Sequence, residues 1–283
     1  MRPPMFAFVP FRIRSSALLL AFAALLAGCA GPAPERLEQA EPAHGAAALM
    51  LSQSSSAVGE VPAGWRPWII RPDKTKTRYQ VARASVGGHE RPVLHAVAES
   101  AASGMWVPVH LPVAQAPYVR WSWRTDAMIE RANSSRPETE DAPARLVLAF
   151  DGDWRKLPLR DQMLAETARM LLGREVPYAT LIYTWDAGKP VGANLANAHT
   201  SRIRLKVVES GPERTGRWLD YERNYVQDYI ELFGEEPGTL IGVGVMTDSD
   251  NTRGYAESWY GDIQLLTPSR TALGELPDGP VID

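Results

Sequence analysis

Ser201-Arg202-Ile203-Arg204-Leu205-Lys206-Val207-Val208 decides the fold class. Apolar and basic side chains alternate along it. Successive side chains of a strand point to opposite faces, so Ile203, Leu205 and Val207 are expected to turn to a core, leaving Arg202, Arg204 and Lys206 as a basic outer face. Arg145 to Asp151 has the same period, with Leu146, Leu148 and Phe150 inward and Arg145 and Asp151 outward. Similar runs at 77–85, 92–99, 105–111, 118–124, 179–185, 240–247 and 255–266 are separated by Gly, Pro and Asp clusters, with Gly87-Gly88 as a hairpin turn. Many short strands punctuated in this way predict a mainly β chain, an antiparallel, jelly-roll-like β-sandwich with its core between two sheets.

Two segments break the period of two. Leu159, Met163, Leu164, Ala168, Leu171 and Leu172 recur at helical spacing and stop at Gly173. Tyr225, Val226, Tyr229, Ile230 and Phe233 do likewise, with Asn224 as N-cap, Gln227 three residues on, and Gly234 as the stop. Both are expected to be short amphipathic helices packed on a sheet edge or face.

The ends of the chain read differently. Arg2, Arg12 and Arg14 precede an apolar run from Ala17 to Leu26, and small residues then lead to Leu26-Ala27-Gly28-Cys29. This is the order of an export signal, and its apolar run is shorter than the about 20 residues that span a bilayer. Residues 1–28 are read as a lipoprotein signal peptide and Cys29, the one cysteine in the chain, as the lipidated first residue of the mature protein. A thiol can be alkylated to a thioether carrying diacylglycerol, and two or three acyl chains anchor stably where one does not. Ala30 after it implies the outer membrane, facing the periplasm. Residues 29–60, rich in Ala, Pro, Glu and Ser, are expected to be a flexible tether; 61–267 the β-sandwich; and 268–283 a loose tail. Loss of the signal leaves 27 basic against 33 acidic residues, a net charge of −6 that argues against nucleic acid as a partner.

A set of motifs runs through the predicted domain in fixed order. It comprises Ala102-Ser103-Gly104, Trp121-Ser122-Trp123-Arg124, Asp141-Ala142-Pro143-Ala144-Arg145, Pro177-Tyr178, Leu181-Ile182-Tyr183-Thr184-Trp185, Trp218, Asp228-Tyr229, Phe233-Gly234, the run from Val245 to Thr252, and Tyr260-Gly261-Asp262-Ile263. Together they resemble a bacterial family known as domain of unknown function 3047, over most of the stretch from Trp65 to Leu266. Ser249 departs from that pattern, where Thr is expected between the two aspartates. The resemblance implies no activity and no catalytic residues. A looser resemblance, through Tyr260-Gly261-Asp262-Ile263, is to jelly-roll carbohydrate-binding modules, an analogy of fold.

Candidate sites follow from residue chemistry. Trp121 and Trp123 share a strand face with Val119 and are expected in the core, which turns Tyr118, Arg120 and Arg124 outward as a ligand-binding face suited to hydroxyl or carboxylate groups. Asp248, Asp250 and Asn251 sit at a strand end and form either a capped turn or a calcium site; Arg253 and Trp259 occupy positions that an EF-hand needs as Gly and Glu. Asp141, Asp248, Asp250 and Glu257 are the acidic residues a glycan hydrolase or lyase would use. Arg202, Arg204 and Lys206, joined by Arg217, are candidates to meet an acidic polysaccharide or lipid phosphate, with a solvated outer strand face as the alternative, and Arg145 is a further ligand-binding candidate. None of the five histidines has metal-ligand spacing, and His95 reads as a core histidine. Gly242 and Gly244 share a strand face and leave room for a backbone, a ligand or the second helix. No nucleophile elbow, phosphate-binding loop or dinucleotide fingerprint occurs. The reading is a lipid-anchored cell-envelope binding protein, non-catalytic, with a glycan or glycan-like polymer as ligand. Its alternatives are an envelope glycan hydrolase or lyase and an assembly factor that docks a protein.

Overall fold

The computed structural model describes residues 46–268 apart from 174, 198 and 199. The signal peptide 1–28, Cys29, the tether as far as residue 45 and the tail from 269 lie outside the described residues.

The chain forms two sheets packed as a β-sandwich. The first holds β1 (Ala47–Leu51), β3 (Arg78–Val86), β4 (His89–Glu99), β6 (Tyr118–Thr125), β11 (Leu219–Asn224) and β13 (Tyr255–Leu266), in the order β11-β6-β13-β4-β3. β1 continues the β4 edge of β13, pairing Ala47 with Leu266. The second holds β2 (Arg66–Trp68), β5 (Ala102–Leu111), β7 (Arg145–Phe150), β8 (Ala179–Asp186), β9 (Asn194–Ala196), β10 (Ile203–Ser210) and β12 (Leu240–Asp248), in the order β2-β5-β12-β7-β8-β10-β9. Helices α1 (Leu159–Leu172) and α2 (Tyr225–Phe233) complete the fold.

The inner faces make the core. Trp121, Trp123, Tyr183, Trp185, Leu146, Leu148, Val243, Val245 and Tyr260 are all buried there. Trp121 lies edge-on to Trp123 at 5.5 Å and stacks on Tyr183 of the opposite sheet at 5.1 Å, so the tryptophan pair fills the core as its neighbour Val119 indicated. α2 closes one end of this core, with Tyr229 edge-on to Phe150 at 4.8 Å.

Three expectations need correction. β8 and β10 run parallel, Leu205 beside Ile182 and Lys206 beside Tyr183, so the second sheet is mixed and not wholly antiparallel. The 16 residues between these strands carry the chain across and add β9 as an edge. Order also begins before Val61: β1 falls inside the stretch read as tether, with Leu51 and Gln53 buried. Finally, β10 faces the other way. Lys206 shares the inner face with Tyr183, while Ile203 and Leu205 join Val147, Ile182 and Met246 on the outer face. The alternation is real, but basic side chains have partners inside under α2 and apolar ones have partners outside.

Candidate functional site

Ile203, Leu205, Val147, Ile182 and Met246 make the outer face of the second sheet apolar. β7 and β8 are buried along their whole lengths, so this face is covered where a solvated sheet face would be polar. Part of the cover is tryptophan. Trp68 of β2 stands opposite Gly104 and Trp106 of β5 opposite Gly244. A Cβ added at Gly104 would meet the Trp68 ring at 2.9 Å, and one at Gly242 would meet the Trp106 ring at 2.6 Å. The glycines let both indoles lie on the backbone of the sheet. It is therefore Trp106, and not the second helix, that occupies the space over Gly242. Both indoles keep part of their surface open to solvent.

Between them runs a groove. One part, about 170 Å³, is lined by Trp68, Ile182, Leu195, Ile203, Leu205 and Met246, and ends on Arg145, Asp141 and Asp248. The other, about 110 Å³, has Trp68, Trp106, Val147, Ala149 and the glycines of β12.

The polar end is built by β7, β12 and the turn after it. Arg145 pairs with Asp248, its Nη2 also donating to the Glu140 carbonyl at 2.5 Å, and the Ala142 amide donates to Asp248 at 3.2 Å. Asp141 accepts from the Asn251 amide at 3.1 Å and from the Thr252 amide and hydroxyl at 2.7 and 2.6 Å. Asp250 pairs with Lys74. Burial pushes the Asp248 carboxyl up to about 6; Arg145 beside it opposes that rise and Asp141 adds to it. Burial alone would lower the Arg145 guanidinium, but Asp248, Glu140 and Asp141 together hold it above its usual value. Carboxylate oxygens of Asp141, Asp248 and Asp250 lie within 4.8 Å of one another. These are hard oxygen ligands of the kind calcium takes. Asn251 points elsewhere, its amide donating to the Pro137 carbonyl at 2.5 Å. Lys74 on Asp250 and Arg145 on Asp248 pair two of the three carboxylates, and turn donors satisfy Asp141, so the cluster already serves as a strut for the turn and an ion would have to displace Lys74.

The remaining candidates do not join this site. Arg120 pairs with Glu222 on the outer face of the first sheet, and Arg124 pairs with Asp126 and lies over Trp259 at 5.0 Å. Tyr118 is half-buried at the far end of that strand. Glu257 accepts from Tyr255 and contacts His95 at 2.7 Å, on the same face as Arg124. His95 itself stacks on Trp259 at 5.1 Å. Arg202 donates to Glu235 at 2.7 Å and Lys206 to Glu231 at 2.8 Å, with Asp228 at 3.5 Å. Arg204 shares their strand face, so the basic strip serves α2 and is not a solvated surface. Trp68, Trp106 and Lys74 are site residues that the sequence reading passed over. The signal for the tryptophans was Gly104 and Gly244 on strand faces opposite them; Lys74 sits in a loop and gave none.

The region from Trp65 to Leu266 that carries these features matches the family model described as "Protein of unknown function (DUF3047)" over residues 63–264. The chain belongs to this family. No curated protein matches this DUF3047 chain. Among solved structures, it is similar to the K2 cleaved adhesin domain of Lys-gingipain, with 13% identity, 77% of this chain and 99% of that chain covered, and a TM-score of 0.37. The K1 cleaved adhesin domain of Lys-gingipain from Porphyromonas gingivalis W83 gives 11% identity, 76% and 95% coverage and 0.34. The carbohydrate recognition domain of Emp47p gives 10% identity, 79% and 97% coverage and 0.34.

Proposed function

We propose that this DUF3047 protein is a non-catalytic binding protein of the cell envelope, lipidated at Cys29 and held at the outer membrane facing the periplasm, whose groove takes a glycan or glycan-like polymer. The observation that carries the reading is the pair of half-open indoles, Trp68 and Trp106, laid on glycine backbone along one apolar groove that ends in charged side chains. Pyranose rings present apolar C–H faces that stack on indole, and their hydroxyls bond carboxylate and guanidinium groups at the edge. Rings held in place by a strand backbone lose little freedom when a ligand arrives.

Thermal unfolding of the chain with a panel of neutral and acidic envelope glycans tests this. A ligand that binds the folded state alone raises the midpoint by mass action, by about 2.7 kcal/mol of stability at a hundredfold excess over Kd. The shift is expected with at least one glycan and is lost in Trp68→Ala and Trp106→Ala; a flat response across the panel rejects the reading. A hydrolase is the second reading, favoured by one observation, the Asp248 carboxyl raised to about 6 beside Asp141 at the groove end. Release of reducing ends that disappears in Asp248→Asn would replace the first reading with this one.

A further inference from the structure

α1 turns its face the wrong way for a core helix. Leu159, Met163, Met170 and Leu171 are 61–81% exposed, and Leu164 is 40% exposed. Among the described side chains of α1 the buried ones are Asp161 and Ala165, and the helix makes polar contacts there: Asp161 accepts from Ser201 at 2.8 Å and the Arg169 guanidinium lies over Trp154 at 4.7 Å. An apolar patch of this kind on an exposed helix marks an interaction surface.

Topology says which end of the molecule it occupies. Ala47 pairs with Leu266, Leu266 with Tyr118, and the Tyr225 amide donates to the Pro117 carbonyl. On the second sheet Leu111, Leu240, Phe150 and Ala179 lie at one end, joined to that same end by the Leu111–Tyr118 connection and by α2. α1 connects Phe150 to Ala179. The chain coming from Cys29 thus enters the sandwich at the end that carries α1. Only 16 residues separate Cys29 from Ala46, and a flexible chain of that length has a root-mean-square reach of about 22 Å. Lys156 and Arg160, both exposed, flank the apolar face at its N-terminal side, beside Arg155, which pairs with Asp153.

We propose that α1 is an interfacial helix that lays Leu159, Met163, Met170 and Leu171 on the bilayer in which Cys29 is anchored, with Lys156 and Arg160 against anionic headgroups. A short tether, an exposed apolar helix face and a basic flank on one end of the fold are the parts such an arrangement needs. Methionine suits it, since its unbranched side chain adapts to an uneven acyl boundary. The anchored domain would then rest on the membrane in a fixed orientation, and the groove on the outer face of the second sheet would keep a fixed inclination to it. This inference rests on the lipidation part of the proposed function and is independent of the glycan part.

The test uses the full chain processed in the cell, extracted and reconstituted into vesicles of phosphatidylethanolamine and phosphatidylglycerol. Intact mass reads lipidation at Cys29 by itself. Because the thioether consumes the native thiol, Met170→Cys then carries the one free thiol and takes a nitroxide, with Gln80→Cys on the exposed edge strand β3 as control. Expected is a nitroxide at position 170 that loses collision with a polar nickel complex and gains it with oxygen, while position 80 stays open to nickel. A lipidated protein with position 170 as open to nickel as position 80 overturns the inference and leaves the lipid reading intact. In the unlipidated Cys29→Ser chain, vesicle partition is expected to fall about tenfold or more on Met170→Glu with Leu171→Glu, because two apolar side chains lose their favourable transfer out of water. A Cys29→Ser chain that is dimeric without vesicles, with position 170 already shielded, assigns the face to a second copy and also overturns it.

Discussion

α1 and α2 share a sequence grammar and have opposite fates. Each has apolar residues at helical spacing and each ends on a glycine in the left-handed conformation, Gly173 at φ +63° and Gly234 at φ +71°. The shorter helix, α2, buries Tyr225 and Tyr229 completely against Phe150. It also sets Asp228 beneath itself, where the carboxylate accepts from Tyr183 at 2.7 Å and from Arg223 at 2.6 and 2.9 Å, with Lys206 at 3.5 Å. The longer helix, α1, carries more large apolar residues and leaves most of them exposed. The period of an apolar pattern specifies that a helix forms and where it stops. What covers its face is decided by residues elsewhere, here the inward-facing Tyr183 and Lys206 for α2, with no counterpart over the apolar face of α1 among the described residues.

The comparison breaks most readily at Asp228. Asp228→Ala takes the shared acceptor from the buried Tyr183 hydroxyl and from the partly exposed Arg223, while Lys206 keeps Glu231; leaving a buried donor unsatisfied costs about 1–3 kcal/mol. The urea midpoint is expected to fall accordingly with an unchanged slope. A loss below about 1 kcal/mol, in the range of an ordinary hydrogen bond, would mean that the aromatic contacts of α2 hold it alone.

Asp248 sharpens the same contrast, because this second buried carboxylate has one cation in place of two. Its pKa rises from 3.8 to about 6 through burial, which Arg145 only partly offsets. Between those values the folded chain holds a proton that the unfolded chain has lost, so this group favours folding most at low pH and its contribution fades as pH rises through 6. Stability relative to Asp248→Asn is therefore expected to improve from pH 7 to pH 5, read from paired urea midpoints. A difference that does not change with pH would show that Arg145 fully compensates burial.

Legibility in the sequence followed the same division between local pattern and tertiary partner. The runs at 77–85, 118–124, 145–151, 179–185, 240–247 and 255–266 appear as β3, β6, β7, β8, β12 and β13 within a residue or two. The Asn224 cap accepts from the Gln227 amide at 3.1 Å, as its spacing indicated. β2 and β9 have three residues each, too few to show a period, and β11 is four-sixths charged or amide. The facing of β10 was unreadable for another reason: a basic residue and an apolar one can exchange sides of a sheet when carboxylates such as Glu231 and Glu235 wait on the inner side. The groove was hidden because its walls, Trp68 and Trp106, come from different strands and meet only through the glycines of β5 and β12.

The two smallest effects test the helices directly. Asn224→Ala removes the acceptor for the Gln227 amide, and loss of such a cap costs about 1 kcal/mol. Because α2 is part of the core, that cost is expected in the global unfolding midpoint. Met163→Gln and Met170→Gln in α1 are expected to move it by less than about 0.5 kcal/mol, since both side chains are already in water in the free chain. Hydrogen exchange separates the helices further. Amides of α1 are held by the helix's own bonds and a few polar contacts, so they are expected to exchange through local opening well below the global free energy. Those of α2 are expected to open only with the whole sandwich. Equal protection would show that α1 is held by the fold as firmly as α2, and slower exchange of α1 alone in the vesicle-bound lipidated chain would show its missing partner to be the bilayer.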